Sequence, residues 1–124
     1  MTPKNMDHLV IEVADMDRSL GFYGDLLGLQ PERLELYRRG QAPFVSVRAG
    51  RTLIDLFPAE IPRLGPPHFC LEFDNPMDVI LASLEQARLN PGTPERRFGA
   101  QGMGLSVYVR DPDGHQVEIR TYHP

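Results

Sequence analysis

Two histidines and two carboxylates recur at matching places along the 124-residue chain. His8-Leu9-Val10-Ile11-Glu12-Val13 aligns with His68-Phe69-Cys70-Leu71-Glu72-Phe73 at an offset of 60 residues. Thr52-Leu53-Ile54-Asp55-Leu56 aligns with His115-Gln116-Val117-Glu118-Ile119 at an offset of 63. Two imidazoles with one or two carboxylates suit a divalent transition metal such as Zn, Fe, Mn, Ni or Co. An ion so held keeps positions open for substrate oxygens. A carboxylate beside it, Asp55 or Glu118, would move a proton if its pKa lies near the working pH. His8 and Glu12 cannot serve one ion, because four residues of strand span roughly 13 Å. His115 stands three residues from Glu118, hence on the opposite face, and is expected to be an exposed turn residue. His123, next to the terminus, is expected to be solvated.

Side chains alternate along a strand, so His8, Val10 and Glu12 share one face and Leu9, Ile11 and Val13 the other. Asp55 likewise opposes Ile54 and Leu56, and Glu118 opposes Val117 and Ile119. The apolar faces are expected to pack under helices, with His8, His68, Asp55 and Glu118 on the far side. Alternation alone also fits any half-solvated strand. The agreement of both halves in residue type and face is what favours ligands. Cys70 shares the face of His68, although a small buried hydrophobe is the commoner role for a free cysteine.

The elements that must position these side chains repeat as well. A strand at 6–13 leads into a helix capped by Asp15, with Met16, Leu20, Tyr23 and Leu27 at helical spacing and Gly28 as its C-terminal cap. Strand-like runs follow at 33–38, 44–47 and 52–57. After a proline-rich linker, 58–66, comes a strand at 68–73. A helix follows with Asn75 as cap and Pro76 at its first position, running to about residue 89. Strands at 95–98, 105–110 and 116–121 complete the second half, the last two joined by a type I turn at Asp111-Pro112-Asp113-Gly114. The pattern is one α+β domain of two βαβββ modules, 6–57 and 67–122, forming a cupped, mostly antiparallel sheet. A pseudo-twofold axis between the modules would bring the four ligand candidates toward one centre.

Composition bounds the partners. A hydrophobic fraction of 41% supports a packed core, and a net charge of −4 argues against a nucleic-acid binder. No apolar run reaches bilayer length. The opening Met1-Thr2-Pro3-Lys4-Asn5 does not resemble a signal peptide, and Cys70, the single cysteine, cannot close an internal disulfide. A cytoplasmic protein acting on a small molecule, with no membrane partner, is the expectation. Exposed sheet edges on so small a chain further predict a homodimer.

The opening Met6-Asp7-His8-Leu9-Val10-Ile11-Glu12-Val13, with Ser19-Leu20-Gly21-Phe22-Tyr23-Gly24-Asp25-Leu26-Leu27-Gly28-Leu29, resembles the vicinal oxygen chelate superfamily. The closing Val107-Tyr108-Val109-Arg110-Asp111-Pro112-Asp113-Gly114-His115-Gln116-Val117-Glu118 resembles its second signature. That superfamily includes glyoxalase I, fosfomycin-resistance thiol transferases, extradiol dioxygenases and methylmalonyl-CoA epimerase. The resemblance implies paired βαβββ modules around one divalent metal ion, with His8, His68 and Glu118 as its ligands. The fourth position, glutamate in glyoxalase I, falls on Asp55, whose shorter side chain leaves three roles open: ligation through water, a base, or pocket lining. The leading implied activity is glyoxalase-like lyase or isomerase chemistry through an enediolate or similar oxyanion. The alternatives are an iron-dependent extradiol-type dioxygenase and a non-catalytic protein that sequesters drugs such as bleomycin. Whether the modules pair within one chain or across a dimer stays open at this level.

Overall fold

The computed structural model describes residues 1–123 and divides into two units, Met1–Gly65 and a second beginning at Pro66. Each unit holds one four-stranded mixed sheet with few helices, the α+β architecture expected. No helix is long and apolar enough to cross a membrane among the described residues.

In the first unit β1 (His8–Val13), β2 (Gln30–Glu32), β3 (Val45–Ala49) and β4 (Thr52–Pro58) lie in the order β1-β4-β3-β2. β1 runs parallel to β4, and the other pairings are antiparallel. The register sets Ile11 beside Leu56 and Val47 beside Ile54, so one face is apolar, and all four residues are buried. Asp15 caps α1 (Met16–Leu20) by accepting from the Arg18 amide at 3.1 Å. The chain then widens into a π-helical turn, Gly21–Leu26. A wider turn brings successive side chains closer around the axis. The neighbours Phe22 and Tyr23 are both buried, edge to face with ring centroids 4.9 Å apart. Gly28 closes the segment at φ +79°, a left-handed value that costs glycine little.

One expectation fails here: the strand at 33–38 is a short helix, α2 (Leu34–Arg38). Arg33 adopts φ +67° and breaks the extended chain after β2. The helix formers that follow close a turn supported by an Arg38–Glu35 ion pair at 3.0 Å. None of the five α2 residues is buried, so no sheet face was there to favour the strand.

In the second unit β5 (Phe69–Glu72), β6 (Glu95–Gly99), β7 (Gly102–Arg110) and β8 (Gln116–Thr121) follow the order β5-β8-β7-β6. β5 pairs with β8 in parallel, and the remaining pairings are antiparallel. Helix α3 (Met77–Gln86) buries Met77, Ile80 and Leu84 at helical spacing. Its N-cap is Pro76, without a side-chain cap, rather than Asn75, and it ends three residues short of the expected 89. Arg88, at φ +61°, has already left the helical conformation.

Leu84 is 2% exposed and Val79, on the same helix, is 45% exposed. Leu84→Ala is therefore expected to lower unfolding stability by about 2–5 kcal/mol. Val79→Ala should stay within about 0.5 kcal/mol of the parent, both read from urea denaturation midpoints.

Candidate functional site

The parallel pairing in each unit aligns the start of its first strand with the start of its last. In the first unit the register sets His8 beside Leu53 and Val10 beside Asp55, on the face away from Ile11 and Leu56. Antiparallel β3 brings Ser46 against Asp55 from the other side. The Ser46 hydroxyl donates to Asp55 Oδ1 at 2.6 Å, which leaves Oδ2 turned to His8 Nε2 at 3.8 Å. A half-exposed imidazole thus stands over a buried carboxylate. On its other edge, His8 Nδ1 lies 2.8 Å from Asp7 Oδ2. A carboxylate at Nδ1 holds the proton there and leaves the Nε2 lone pair outward, the arrangement that metal-binding imidazoles use. The Asp7 hydrogen bond, with the Asp55 charge second, raises the His8 pKa above its ordinary 6.5. Glu12, on the same face of β1, is held by Arg63, whose backbone amide and guanidinium both donate to it.

The second unit repeats the motif with different support. Glu118 lies beside Cys70 on one side and Tyr108 on the other. His68, just before β5, places Nε2 at 3.1 Å from Glu118 Oε2. The Tyr108 ring meets the His68 ring edge to face, with centroids 5.7 Å apart. Glu118 Oε1 accepts from Arg120 Nη2 at 3.1 Å and from Nε at 3.3 Å. Burial by itself would raise the Glu118 pKa, but Ser106, Arg120 and the His68 charge outweigh it and hold the carboxyl below its ordinary range. The Ser106 hydroxyl is buried beside it just outside hydrogen-bonding geometry, close enough to favour the ionised form.

Cys70 is exposed, not the buried hydrophobe that free cysteines usually make. Surrounding protein still desolvates its thiol, and with the Glu118 charge pushes its pKa up to about 11, so it stays protonated and unreactive at neutral pH. His115 departs from expectation too, being buried at 3% exposure. Asp111 Oδ1 accepts the backbone amides of Asp113 and His115, and the Asp111 amide donates to the His115 carbonyl, tucking the residue into the β7–β8 turn. Asp111, Asp113 and His115 consequently offer potential metal-ligand atoms within 4.8 Å of one another, with the Asp111 carboxylate committed to shaping the turn. His123 is exposed, as expected.

The structure thus brings His8 to Asp55 and His68 to Glu118, each pair within its own unit. Five supporting residues, Asp7, Ser46, Ser106, Tyr108 and Arg120, were missed in the sequence. Arg120 carried a signal, since it lies two residues beyond Glu118 and therefore on the same strand face. In both units an imidazole Nε2 faces one carboxylate oxygen while the protein holds the other. This nitrogen and oxygen donor set suits the divalent transition ions named above.

The profile of the Glyoxalase/Bleomycin resistance protein/Dioxygenase superfamily matches residues 5–119. The virulence protein STM3117 of Salmonella typhimurium is 29% identical over 126 residues, covering 94% of this chain and 83% of that one. Its crystal structure superposes with a TM-score of 0.83 at 28% identity, over 99% of this chain and 100% of that chain. VPC_CASS1, from the mobile metagenome of V. Pseudocholerae, reaches a TM-score of 0.84 at 28% identity, over 100% and 98% of the two chains. A lactoylglutathione lyase of Neisseria meningitidis is 27% identical over 123 residues, covering 90% of this chain and 86% of its own.

In the metal-free protein, NMR titration should find His8 with a pKa above 6.5, so that its imidazolium persists to higher pH than that of an unperturbed histidine. Asp7→Asn removes the larger cause and should bring the value back toward 6.5. An unchanged titration in that variant would show that Asp7 does not govern the imidazole.

Proposed function

Because the chain belongs to the Glyoxalase/Bleomycin resistance protein/Dioxygenase superfamily, we propose that it is a divalent-metal-dependent enzyme acting on a small substrate that chelates through adjacent oxygens. The observation that carries this reading is the His–carboxylate pair at the same register position in both units. His8, His68 and Glu118 are the proposed ligands of one ion. Such an ion, when bound, supplies Lewis-acid stabilisation to a developing enediolate or similar oxyanion. His8 presents Nε2 because Asp7 occupies Nδ1, and Glu118 offers Oε2 because Arg120 occupies Oε1. Asp55 belongs to the substrate side as a proton acceptor, its Oδ1 oriented by Ser46 and its Oδ2 turned to His8. The likeness to a lactoylglutathione lyase supports lyase or isomerase chemistry over oxidation.

Protein purified without a polyhistidine tag is expected to take up one equivalent of divalent metal. His8→Ala and His68→Ala should each weaken binding by more than about tenfold while leaving the circular dichroism spectrum intact. Full stoichiometry in both variants would overturn the ligand set. Asp55→Asn should keep most of the metal and lose turnover, whereas metal loss as severe as that of a histidine variant would make Asp55 a ligand. A panel of α-hydroxycarbonyl compounds, catechols with dioxygen, and bleomycin separates the proposed activity from ring cleavage and from sequestration.

The same reading includes a homodimer. Phe98 and Met103 are cross-strand partners on β6 and β7 and are 82% and 51% exposed, an apolar patch that a second copy would cover. Sedimentation at micromolar concentration should return twice the mass of one chain. A single-chain mass would remove the dimer.

A further inference from the structure

Arginine is rarely buried unless paired, because desolvating the guanidinium is costly. Arg120 is 4% exposed, and its contacts account for the burial. Nε and Nη2 donate to Glu118 Oε1, Nη2 also donates to the Phe98 carbonyl at 3.2 Å, and Nη1 donates to the Tyr122 hydroxyl at 3.1 Å. The backbone makes room for this group. A Cβ at Gly99 would overlap the Arg120 guanidinium, and a Cβ at Gly104 would come within 2.9 Å of the Thr121 carbonyl and 3.0 Å of the Tyr122 ring. Neither gap is one that real Cβ contacts normally show.

The first unit has no counterpart. Two residues beyond Asp55 stands Phe57, stacked on Phe44 with centroids 4.3 Å apart, and Asp55 Oδ1 is held by a neutral hydroxyl instead. The second unit therefore commits a buried cation to one oxygen of one carboxylate, and that carboxylate is the proposed ligand.

We propose that Arg120 is a positioning residue for metal binding: by holding Glu118 Oε1, it leaves Oε2, turned toward His68, as the single oxygen offered to the ion. The inference rests on the metal-site reading above. A one-toothed carboxylate leaves more of the ion's positions open to a substrate that arrives with two oxygens. A freed carboxylate rotates and can grip with both.

The test is cobalt(II) titration of the full chain, read as affinity and as the visible d–d absorption at saturation. Arg120→Met should weaken cobalt binding about 10–100-fold, the usual cost of losing a partner that orients a ligand. Its saturated spectrum should shift toward the weaker bands of a higher coordination number. Gly99→Ala, which displaces the guanidinium without touching either charged residue, should shift the spectrum the same way. Tyr122→Phe removes a partner of Arg120 on its far side and should leave the spectrum in place. Arg120→Lys keeps the charge, loses the two-donor grip on Oε1, and should show the same spectral shift, so it carries the test if the Met variant fails to fold. Wild-type spectrum and affinity in both Arg120 variants, with cobalt binding abolished in Glu118→Gln, would overturn the positioning role and leave the metal site standing. Wild-type cobalt affinity in Glu118→Gln, or no cobalt uptake by the parent protein, would overturn both.

Discussion

The parallel pairing between the first and last strand of each unit is the constraint on which the site depends. Parallel neighbours cannot be joined by a tight hairpin, so the helix and two further strands must intervene before the chain returns beside its start. That return places Asp55 level with Val10 and Glu118 level with Cys70, one alternation from the histidine that opens each half. A slip of one residue would turn each carboxylate into the apolar core and each core residue outward. The buried Ile54 and Leu56, and Val117 and Ile119, oppose that slip, so the hydrophobic core secures the geometry of the polar face.

Burying a carboxylate is costly unless something answers its charge, and the two units answer differently. Asp55 is met by a hydroxyl and a half-exposed histidine, Glu118 by a buried guanidinium, a histidine and a nearby serine. The two units share a strand order and the positions of histidine and carboxylate, while the supporting residues differ. The first half carries an aromatic stack where the second carries Ser106 and Arg120. Equivalent positions in the two halves are thus not interchangeable in chemistry.

The βαβββ repeat was legible because both periodicities were strong where a sheet face had to be buried. β8 spans 116–121 as its alternation implies, and Asp15 caps α1 as its side-chain chemistry requires. The reading failed where burial gave no instruction. Residues 34–38 alternate weakly, lie on the surface, and settle into a helix through a local ion pair. The π-helical turn after Leu20 has no marker in a pattern built on regular helical spacing. His115 was misplaced because a turn residue is ordinarily solvated, and the backbone hydrogen bonds that bury it depend on the folded turn. Among the site residues, the histidines and carboxylates were visible through repetition. Asp7, Tyr108 and Arg120 do not repeat between the halves and so carried no such mark, whereas Ser46 and Ser106 stand 60 residues apart.

The missing side chain at Gly99 ties two distant positions of the chain together. A Cβ there would meet both the Arg120 guanidinium and the Tyr122 hydroxyl, so a side chain at 99 obliges those two groups to move. Loss of the arginine alone does not release position 99, because the Tyr122 hydroxyl would still lie 2.5 Å from the added carbon. Contacting residues of this kind are where substitution effects cease to add. The room at position 99 is therefore set jointly by the side chains at 120 and 122.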